Sequence, residues 1–282
     1  MNSLVIAGNV VNVCQSPDKN SAVISQLVFG EPATLVDEKG AFTCVESSDR
    51  YRGWVATQHV RTAPSAFGES IYRITELIAT VFIDSQTPSE ILTKLPLGCY
   101  VRTFDNIATD PFVRFEYCAD RSGVIASRHI GIPLPENSVS RADTLTHALE
   151  TAARLVGTPY LWGGTTPFGI DCSGLIQLAF RTAGIQLLRD AHLQMVDRRF
   201  YATERGTSLG DSEHEPGDLL FFSNREDSRA THVAIAHSHD RFLHSRGGFG
   251  VRFDDYTAEQ YSRTYIGGRR LRTDADFRIE FA

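Results

Sequence analysis

The segment Gly169–Gln177 places a cysteine where a glycine-punctuated loop turns into an apolar stretch. The pattern that follows predicts a helix from about Cys172 to Thr182, ended by Gly184. The first turn of a helix has unpaired backbone N–H groups and the positive end of the helix dipole. Both favour the thiolate, which is the nucleophilic form of cysteine. We therefore expect a reactive thiol at the start of an apolar helix.

Two histidines lie far downstream of this cysteine, in segments that read as strands. His232 opens the run His232–Ala236, and His244 lies twelve residues later in Arg241–Ser245. An imidazole can hold and return a proton near neutral pH. His232 is therefore the predicted general base, and His244 is the predicted group that orients its ring, with Ser245 as an alternative. Cysteine, histidine and a third polar group, in this order, indicate nucleophilic catalysis by a thiol.

Composition excludes several function classes. The chain has 282 residues with a net charge of −6, and it has no basic run, so we expect no nucleic-acid partner. No stretch is long and apolar enough for a membrane span, and the first residues lack the pattern of a secretory signal. The five cysteines are dispersed without CxxC spacing (Cys14, Cys44, Cys99, Cys118 and Cys172), which favours a reducing compartment. We expect a cytoplasmic protein; export by another route is the alternative.

The first half of the chain contains an internal duplication. Residues 1–63 and 67–134 each read as short strands separated by turns, as in a small β-barrel. The stretch Gly123–Ile130 echoes Gly53–Val60 at a separation of 70 positions, which indicates two copies of one unit. Pro133–Ser138 is the predicted linker to the second half.

The second half, residues 140–282, changes character. Apolar residues at helical spacing predict a helix from Thr144 to Val156, before the helix at Cys172. Strand-like runs follow at Leu219–Phe222, at the two histidine segments and at Tyr265–Arg270. Helices followed by an antiparallel set predict an α+β domain.

Four ordered motifs in this half resemble the NlpC-type cysteine peptidases, which are papain-like hydrolases of bacterial cell-wall peptides. They are Gly157–Gly164, Asp171–Leu175, Pro216–Leu219 and His232–Ile235. The two barrels resemble bacterial SH3-like domains, and the whole is similar to the subgroup that cleaves γ-D-glutamyl–diamino acid bonds. The resemblance implies a papain-like domain after two SH3-like β-barrels, with no cofactor and no metal.

The same resemblance suggests an oxyanion site and a substrate. The backbone N–H of Cys172 is one expected donor to the oxyanion, and Tyr160 is the candidate for the second; packing beside Trp162 is the alternative role of Tyr160. The implied substrate is a small murein peptide, L-Ala-γ-D-Glu-diamino acid, which begins with a free ammonium.

An anionic partner is needed wherever that ammonium is buried. Asp171 is next to the predicted nucleophile and is the first candidate, with Ser173 on the other side. In the resembled subgroup the first SH3-like domain adds a tyrosine, which we match to Tyr51, while Glu31 is a weaker candidate for an accompanying acid. Arg189-Asp190-Ala191 resembles a third pocket segment, in which some relatives have serine at the alanine position.

Other readings remain open at this level. His237, His239 and His244 could hold zinc, although no Cys or acid completes the set. The same scaffold could also carry a lytic hydrolase of intact peptidoglycan, an amidase or an acyltransferase. A non-catalytic wall-binding protein could use the two SH3-like domains alone, but it would not need Cys172 and His232.

Overall fold

The computed structural model describes residues 3–63, 70–84, 90–118, 121–132, 140–203, 209–210 and 213–272. The chain divides into two compact units, Met1–Pro133 and Leu134–Ala282. The predicted linker Pro133–Ser138 lies outside the described residues, as does most of the predicted boundary between residues 63 and 67. The three-domain division therefore stays a prediction.

The first unit consists of strands and two single turns of 3-10 helix. Its first seven strands form one antiparallel sheet in the order β3-β2-β6-β5-β4-β1-β7. They are β1 (Ser3–Ile6), β2 (Val10–Cys14), β3 (Val23–Val28), β4 (Pro32–Lys39), β5 (Phe42–Ser47), β6 (Arg52–Ala56) and β7 (Val60–Thr62). Alternation along these strands buries one face, as β2 shows with Val11 and Val13 inside and Asn12 exposed.

The following strands repeat this plan. They are β8 (Ser70–Ile74), β9 (Ile78–Phe82), β10 (Ile91–Pro96), β11 (Tyr100–Thr103), β12 (Phe112–Cys118), β13 (Arg121–Ala126) and β14 (Ile130–Gly131). The 3-10 turns Thr57–His59 and Ser127–His129 follow β6 and β13 at the separation of 70 positions seen in the sequence. A 3-10 turn therefore occurs at the equivalent position of each strand set, while the duplication of a whole barrel stays a prediction.

The two strand sets share hydrophobic contacts. Val28 and Phe29, at the end of β3, pack in the same buried cluster as Val101 and Phe115 of the second set. The backbone N–H of Tyr100 donates to the Phe29 carbonyl at 2.9 Å. Burial of apolar side chains from both sets in one cluster holds them together as one unit.

The second unit combines helices with a six-stranded antiparallel sheet of order β17-β22-β18-β19-β20-β21. Its helices are α1 (Arg141–Arg154), α2 (Cys172–Thr182), α3 (Ala191–Met195) and α4 (Glu259–Ser262). Its strands are β15 (Thr165–Thr166), β16 (Gly169–Ile170), β17 (Phe200–Ala202), β18 (Leu219–Phe222), β19 (His232–Ala236), β20 (Arg241–Arg246), β21 (Gly250–Asp255) and β22 (Tyr265–Leu271). This is the predicted α+β arrangement.

Helix α2 is the central element of this unit. Its residues from Cys172 to Arg181 are all buried, because it packs against α1 on one side and against β19 and β20 on the other. The sequence predicts its limits correctly. Helix α1 begins three residues earlier than predicted, because the Ser140 side chain accepts a hydrogen bond from the Asp143 backbone N–H and caps it.

Among the described residues, no helix has the length and apolar character needed to cross a lipid bilayer.

Candidate active site

Asp171 fixes the start of α2 and therefore the position of Cys172. Its Oδ1 accepts from the Gly174 backbone N–H at 2.7 Å, which makes it the N-cap. Its Oδ2 accepts from the Gly163 backbone N–H at 2.9 Å. The glycine-rich loop and the first turn of α2 are thus held together by one carboxylate.

A buried arginine neutralises this carboxylate. Arg189 donates to Asp171 Oδ1 at 3.1 Å and to Oδ2 at 2.6 Å, and it donates to the Ser173 hydroxyl at 2.8 Å. The two charged side chains are only 1% and 7% exposed. A two-pronged contact of this kind is among the stronger charged hydrogen bonds. Sequence reasoning missed this pair, because the two residues are 18 positions apart and are joined by α2 and the irregular segment after it.

The Cys172 thiol lies between α2 and β19. It is 8% exposed, and the backbone N–H of Val233, the residue after His232, donates a hydrogen bond to it. Burial, reinforced by the Asp171 charge, raises the pKa of Cys172 to about 12, although the Val233 and Ser173 N–H groups and Arg189 oppose the rise. The expected lowering of the thiol pKa by the helix start is therefore outweighed, and deprotonation depends on a nearby base.

His232 and His244 are in direct contact. His232 Nε2 is 2.8 Å from His244 Nδ1, because β19 and β20 are neighbouring antiparallel strands. Burial lowers the pKa of His232 to about 3, and the neighbouring His244 and then the positive charge of Arg246 add to the effect. Burial also lowers the pKa of His244 to about 4, although Asp254 opposes this. Both rings are neutral at pH 7 and can exchange protons.

A third group continues this chain beyond His244. His244 Nε2 is 3.1 Å from Asp254 Oδ2, and the Tyr261 hydroxyl donates to the same oxygen at 2.8 Å. Arg252 pairs with the other carboxylate oxygen at 2.7 Å. The His244 ring is fully buried, so its position is set by these partners.

These contacts assign the proton positions on both rings. A carboxylate only accepts hydrogen bonds, so His244 carries its proton on Nε2 and donates it to Asp254. Its Nδ1 is then an acceptor and receives the Nε2–H of His232. The Nδ1 of His232 is left unprotonated, which is the form that a general base requires.

The contact between His244 and Asp254 depends on the pairing of β20 with β21. His244 and Arg252 are directly opposite in the β20–β21 pairing, and Asp254 is two positions further along β21. Diagonal neighbours of this kind lie on one face of a hairpin and can touch. The sequence pattern does not predict β21, so it does not reveal the pairing of β21 with β20.

Tyr160 lies near the predicted nucleophile. It pairs with Ile170 just before α2. Burial raises the pKa of Tyr160 to about 12, and the nearby Cys172 and Asp171 contribute to the rise. Its hydroxyl therefore stays protonated at neutral pH and can donate a hydrogen bond, which leaves the oxyanion role open as a prediction.

Tyr51 belongs to the first unit. It is partly buried in the turn between β5 and β6, where its backbone N–H donates to Asp49 Oδ1 at 3.2 Å. Glu31 is buried in the same unit and accepts from the Val28 backbone N–H at 3.0 Å. The substrate-binding roles of these residues, and of Asp171 and Ser173, stay predictions.

The zinc and Ser245 alternatives find no support. Both ring nitrogens of His244 are engaged by His232 and Asp254, and within the described residues no group of three His, Cys, Asp or Glu side chains could hold a metal ion. His237 packs edge-on against Phe253. The Ser245 hydroxyl donates to the Ile170 carbonyl at 2.7 Å and so supports the loop before Cys172.

Comparison with known proteins identifies the family of this chain. The profile of the NlpC/P60 family matches residues 157–270, and that of the bacterial dipeptidyl-peptidase Sh3 domain matches residues 13–60. The chain belongs to the NlpC/P60 family. It is a cysteine peptidase with an SH3-like N-terminal strand domain and a papain-like domain, as the sequence predicts.

Relatives of this NlpC/P60 protein match it over most of its length. A dipeptidyl-peptidase 6 from Lysinibacillus sphaericus is 26% identical over 88% of this chain and 89% of its own length. A gamma-D-glutamyl-L-lysine dipeptidyl-peptidase from Bacillus cereus is 26% identical over 87% of this chain and 74% of its own. The crystal structure of an NlpC/P60 family protein from Bacillus cereus superposes with a TM-score of 0.79 at 19% identity, covering 95% of this chain and 99% of that one, and so supports the fold.

Proposed function

We propose that this protein is a cysteine endopeptidase that hydrolyses the γ-D-glutamyl–diamino acid bond of small murein peptides. The observations that carry the proposal are the hydrogen-bonded series Asp254–His244–His232 and the hydrogen bond from the backbone N–H of Val233, the residue after His232, to the Cys172 thiol at the start of a buried helix. The name of the Bacillus cereus relative, matched over 87% of this chain, supports the choice of bond.

In the proposed reaction, the Cys172 sulfur attacks the γ-carbonyl carbon while the thiol proton moves to Nδ1 of His232. The first N–H of α2 and the Tyr160 hydroxyl donate to the developing oxyanion. His232 then gives its proton to the leaving amine, which departs as the diamino acid. Water, deprotonated by His232, hydrolyses the thioester and restores the thiol.

The proposal includes a preference for peptides with a free N-terminal L-alanine. Intact peptidoglycan has this alanine in amide linkage, so a site that requires the ammonium rejects it. Asp171, Ser173 and Tyr51 are the proposed contacts for this end of the peptide. Such selectivity suits the recycling of released peptides, and we propose a cytoplasmic location on the cysteine pattern of the sequence.

Hydrolysis of synthetic peptides tests the proposal. We expect the wild type to cleave L-Ala-γ-D-Glu-diaminopimelate or its lysine analogue to the dipeptide and the free diamino acid, detected by mass spectrometry. Cys172→Ala is expected to lose turnover and to keep its melting temperature, while Cys14→Ala, a partly buried thiol in β2, serves as the matched control.

Two results would contradict separate parts of the proposal. Turnover by Cys172→Ala would exclude this residue as the nucleophile. Equal rates on the N-acetylated peptide, or equal release from intact sacculi, would exclude the requirement for a free amine and would favour a lytic hydrolase.

A further inference from the structure

A cavity of about 260 Å³ opens beside His232. Its lining includes Asn224, Thr231, Arg246, Gln260 and Tyr261, from the ends of β18 and β20 and from α4. This volume is just below the ~300 Å³ at which sites for small molecules begin. None of the lining residues is acidic, so the cavity presents one positive charge surrounded by amide and hydroxyl groups.

Arg246 supplies that charge and has no carboxylate partner among the described residues. The other two arginines of the β20–β21 hairpin are paired, Arg241 with Asp240 and Arg252 with Asp254. The Arg246 guanidinium instead lies 5.1 Å from the ring centre of Phe249 and 5.8 Å from that of Tyr261. Stacking holds the group in place and leaves other N–H donors for a ligand.

The chemistry of the reaction determines which part of the substrate reaches this cavity. His232 must give its proton to the leaving amine, so the leaving group lies beside the imidazole. The cavity shares His232 with the proposed site. It is therefore on the leaving-group side, where the diamino acid with its carboxylate is bound before release.

We propose that Arg246 binds a carboxylate of the leaving diamino acid and thereby selects substrates that carry one. This inference rests on the proposed function. The shared chemistry is a carboxylate, and it has two possible sources: the α-carboxylate of the terminal diamino acid, and the second carboxylate of diaminopimelate, which lysine lacks. A guanidinium binds either in the same two-pronged geometry.

Occupation of the subsite would also act on the base. The positive charge of Arg246 lowers the pKa of both His232 and His244. A bound carboxylate offsets this charge and favours the imidazolium form that His232 adopts during the reaction. The correct leaving group would thus support proton transfer as well as binding.

Three tripeptides test the inference: the diaminopimelate form, the lysine form, and the lysine form with a C-terminal carboxamide. For at least one of the two carboxylates, we expect the wild type to cleave the peptide that carries it with a kcat/KM about 10- to 100-fold higher than the matched peptide that lacks it. The ratio of lysine acid to amide reports the α-carboxylate, and the ratio of diaminopimelate to lysine reports the second one. Arg246→Gln is expected to bring the affected ratio close to one, and Arg246→Lys to give an intermediate value.

Arg241→Gln is the matched control, since it removes an exposed arginine of the same strand outside the cavity, and it should keep the wild-type ratios. Using ratios removes any general loss of kcat that follows from the contact between Arg246 and Tyr261. If the wild type cleaves none of the three peptides, the proposed function itself has failed. If it cleaves them with ratios that Arg246→Gln leaves unchanged, only the carboxylate subsite is overturned.

Discussion

Replacing Asp254 by alanine is expected to reverse the proton positions on His244 and His232. In the native site, Asp254 Oδ2 accepts from both His244 Nε2 and the Tyr261 hydroxyl. Without the carboxylate, the Tyr261 hydroxyl is left 3.3 Å from His244 Nε2, and the Arg246 guanidinium over the same ring has no acceptor for its proton. The hydroxyl then donates a hydrogen bond to His244 Nε2, so His244 carries its own proton on Nδ1. It donates to His232 Nε2, and His232 Nδ1 becomes an N–H that cannot accept the thiol proton.

The size of the effect follows from the hydrogen bond that must be broken to restore the base. The substituted contact joins two neutral groups, and such a hydrogen bond contributes about 0.5–1.5 kcal/mol. At 1.36 kcal/mol for each factor of ten, kcat is expected to fall about 2- to 13-fold. KM should change little, because Asp254 touches His244, Tyr261 and Arg252 and acts only through the imidazoles.

The assay compares Asp254→Ala, Tyr261→Phe and the double variant on the cleaved tripeptide. Tyr261→Phe alone should be nearly normal, since Asp254 still accepts from His244. The double variant should be faster than Asp254→Ala, because the hydroxyl that imposes the wrong tautomer is gone. A double-mutant cycle measures this coupling, and ¹⁵N chemical shifts of the His232 ring report the tautomer directly.

Two results would refute this reasoning. Native kcat in Asp254→Ala would show that the carboxylate does not control the base. A double variant slower than Asp254→Ala would show that the Tyr261 hydroxyl does not impose a tautomer. Melting temperatures of all three variants separate these outcomes from loss of folding.

Three further predictions concern stability and thiol reactivity. Arg189→Met should lower the free energy of unfolding by about 3–5 kcal/mol, because Asp171 is left buried and unpaired. Arg263→Met, which removes an exposed ion pair, is the control and should change the free energy of unfolding by less than about 0.5 kcal/mol. Urea unfolding measures both values. The unfolding free energy should fall as the pH drops from about 6.5 toward 4, by up to about 1.4 kcal/mol per pH unit for each of His232 and His244. Their folded pKa values lie below the unfolded value, so the unfolded state binds more protons there; an equally steep decline in His244→Asn would contradict this assignment. His232→Ala should slow alkylation of Cys172 at pH 7 by at least about 100-fold relative to wild type, since burial opposes the thiolate, and an unchanged rate would show that another group takes the proton.

The parts of the fold that local patterns control could be predicted from the sequence. Helix α2 has the predicted ends, because Asp171 is a good N-cap and Gly184 follows the apolar run. Strands β18 and β19 also match the predicted runs Leu219–Phe222 and His232–Ala236. In these segments, side-chain periodicity and chain-breaking residues point to the same element.

The contacts that complete the site come from pairings between distant segments, which periodicity does not encode. Arg189, which contacts Asp171, lies in the segment between α2 and α3, and this segment has no repeating pattern. Asp254 meets His244 only because a Gly-rich turn sets the register of β20 against β21. The thiol pKa also differs from the expectation. The helix start, which the sequence predicts, favours a lower pKa, but the burial of Cys172, which the sequence does not reveal, raises it.

The Asp171–Arg189 pair changes what recognition of the substrate ammonium requires. Each oxygen of Asp171 already accepts from Arg189 and from a backbone N–H, and the buried guanidinium offsets its charge. The proposed preference for a free N-terminal alanine therefore needs acceptors besides Asp171, and the Tyr51 hydroxyl is the one proposed from the sequence. Asp171→Asn would disturb the start of α2 as well as binding, because the same carboxylate caps the helix. Tyr51→Phe leaves the cap of α2 intact, so the rate ratio of free to N-acetylated tripeptide in this variant, read together with its melting temperature, separates recognition of the ammonium from folding.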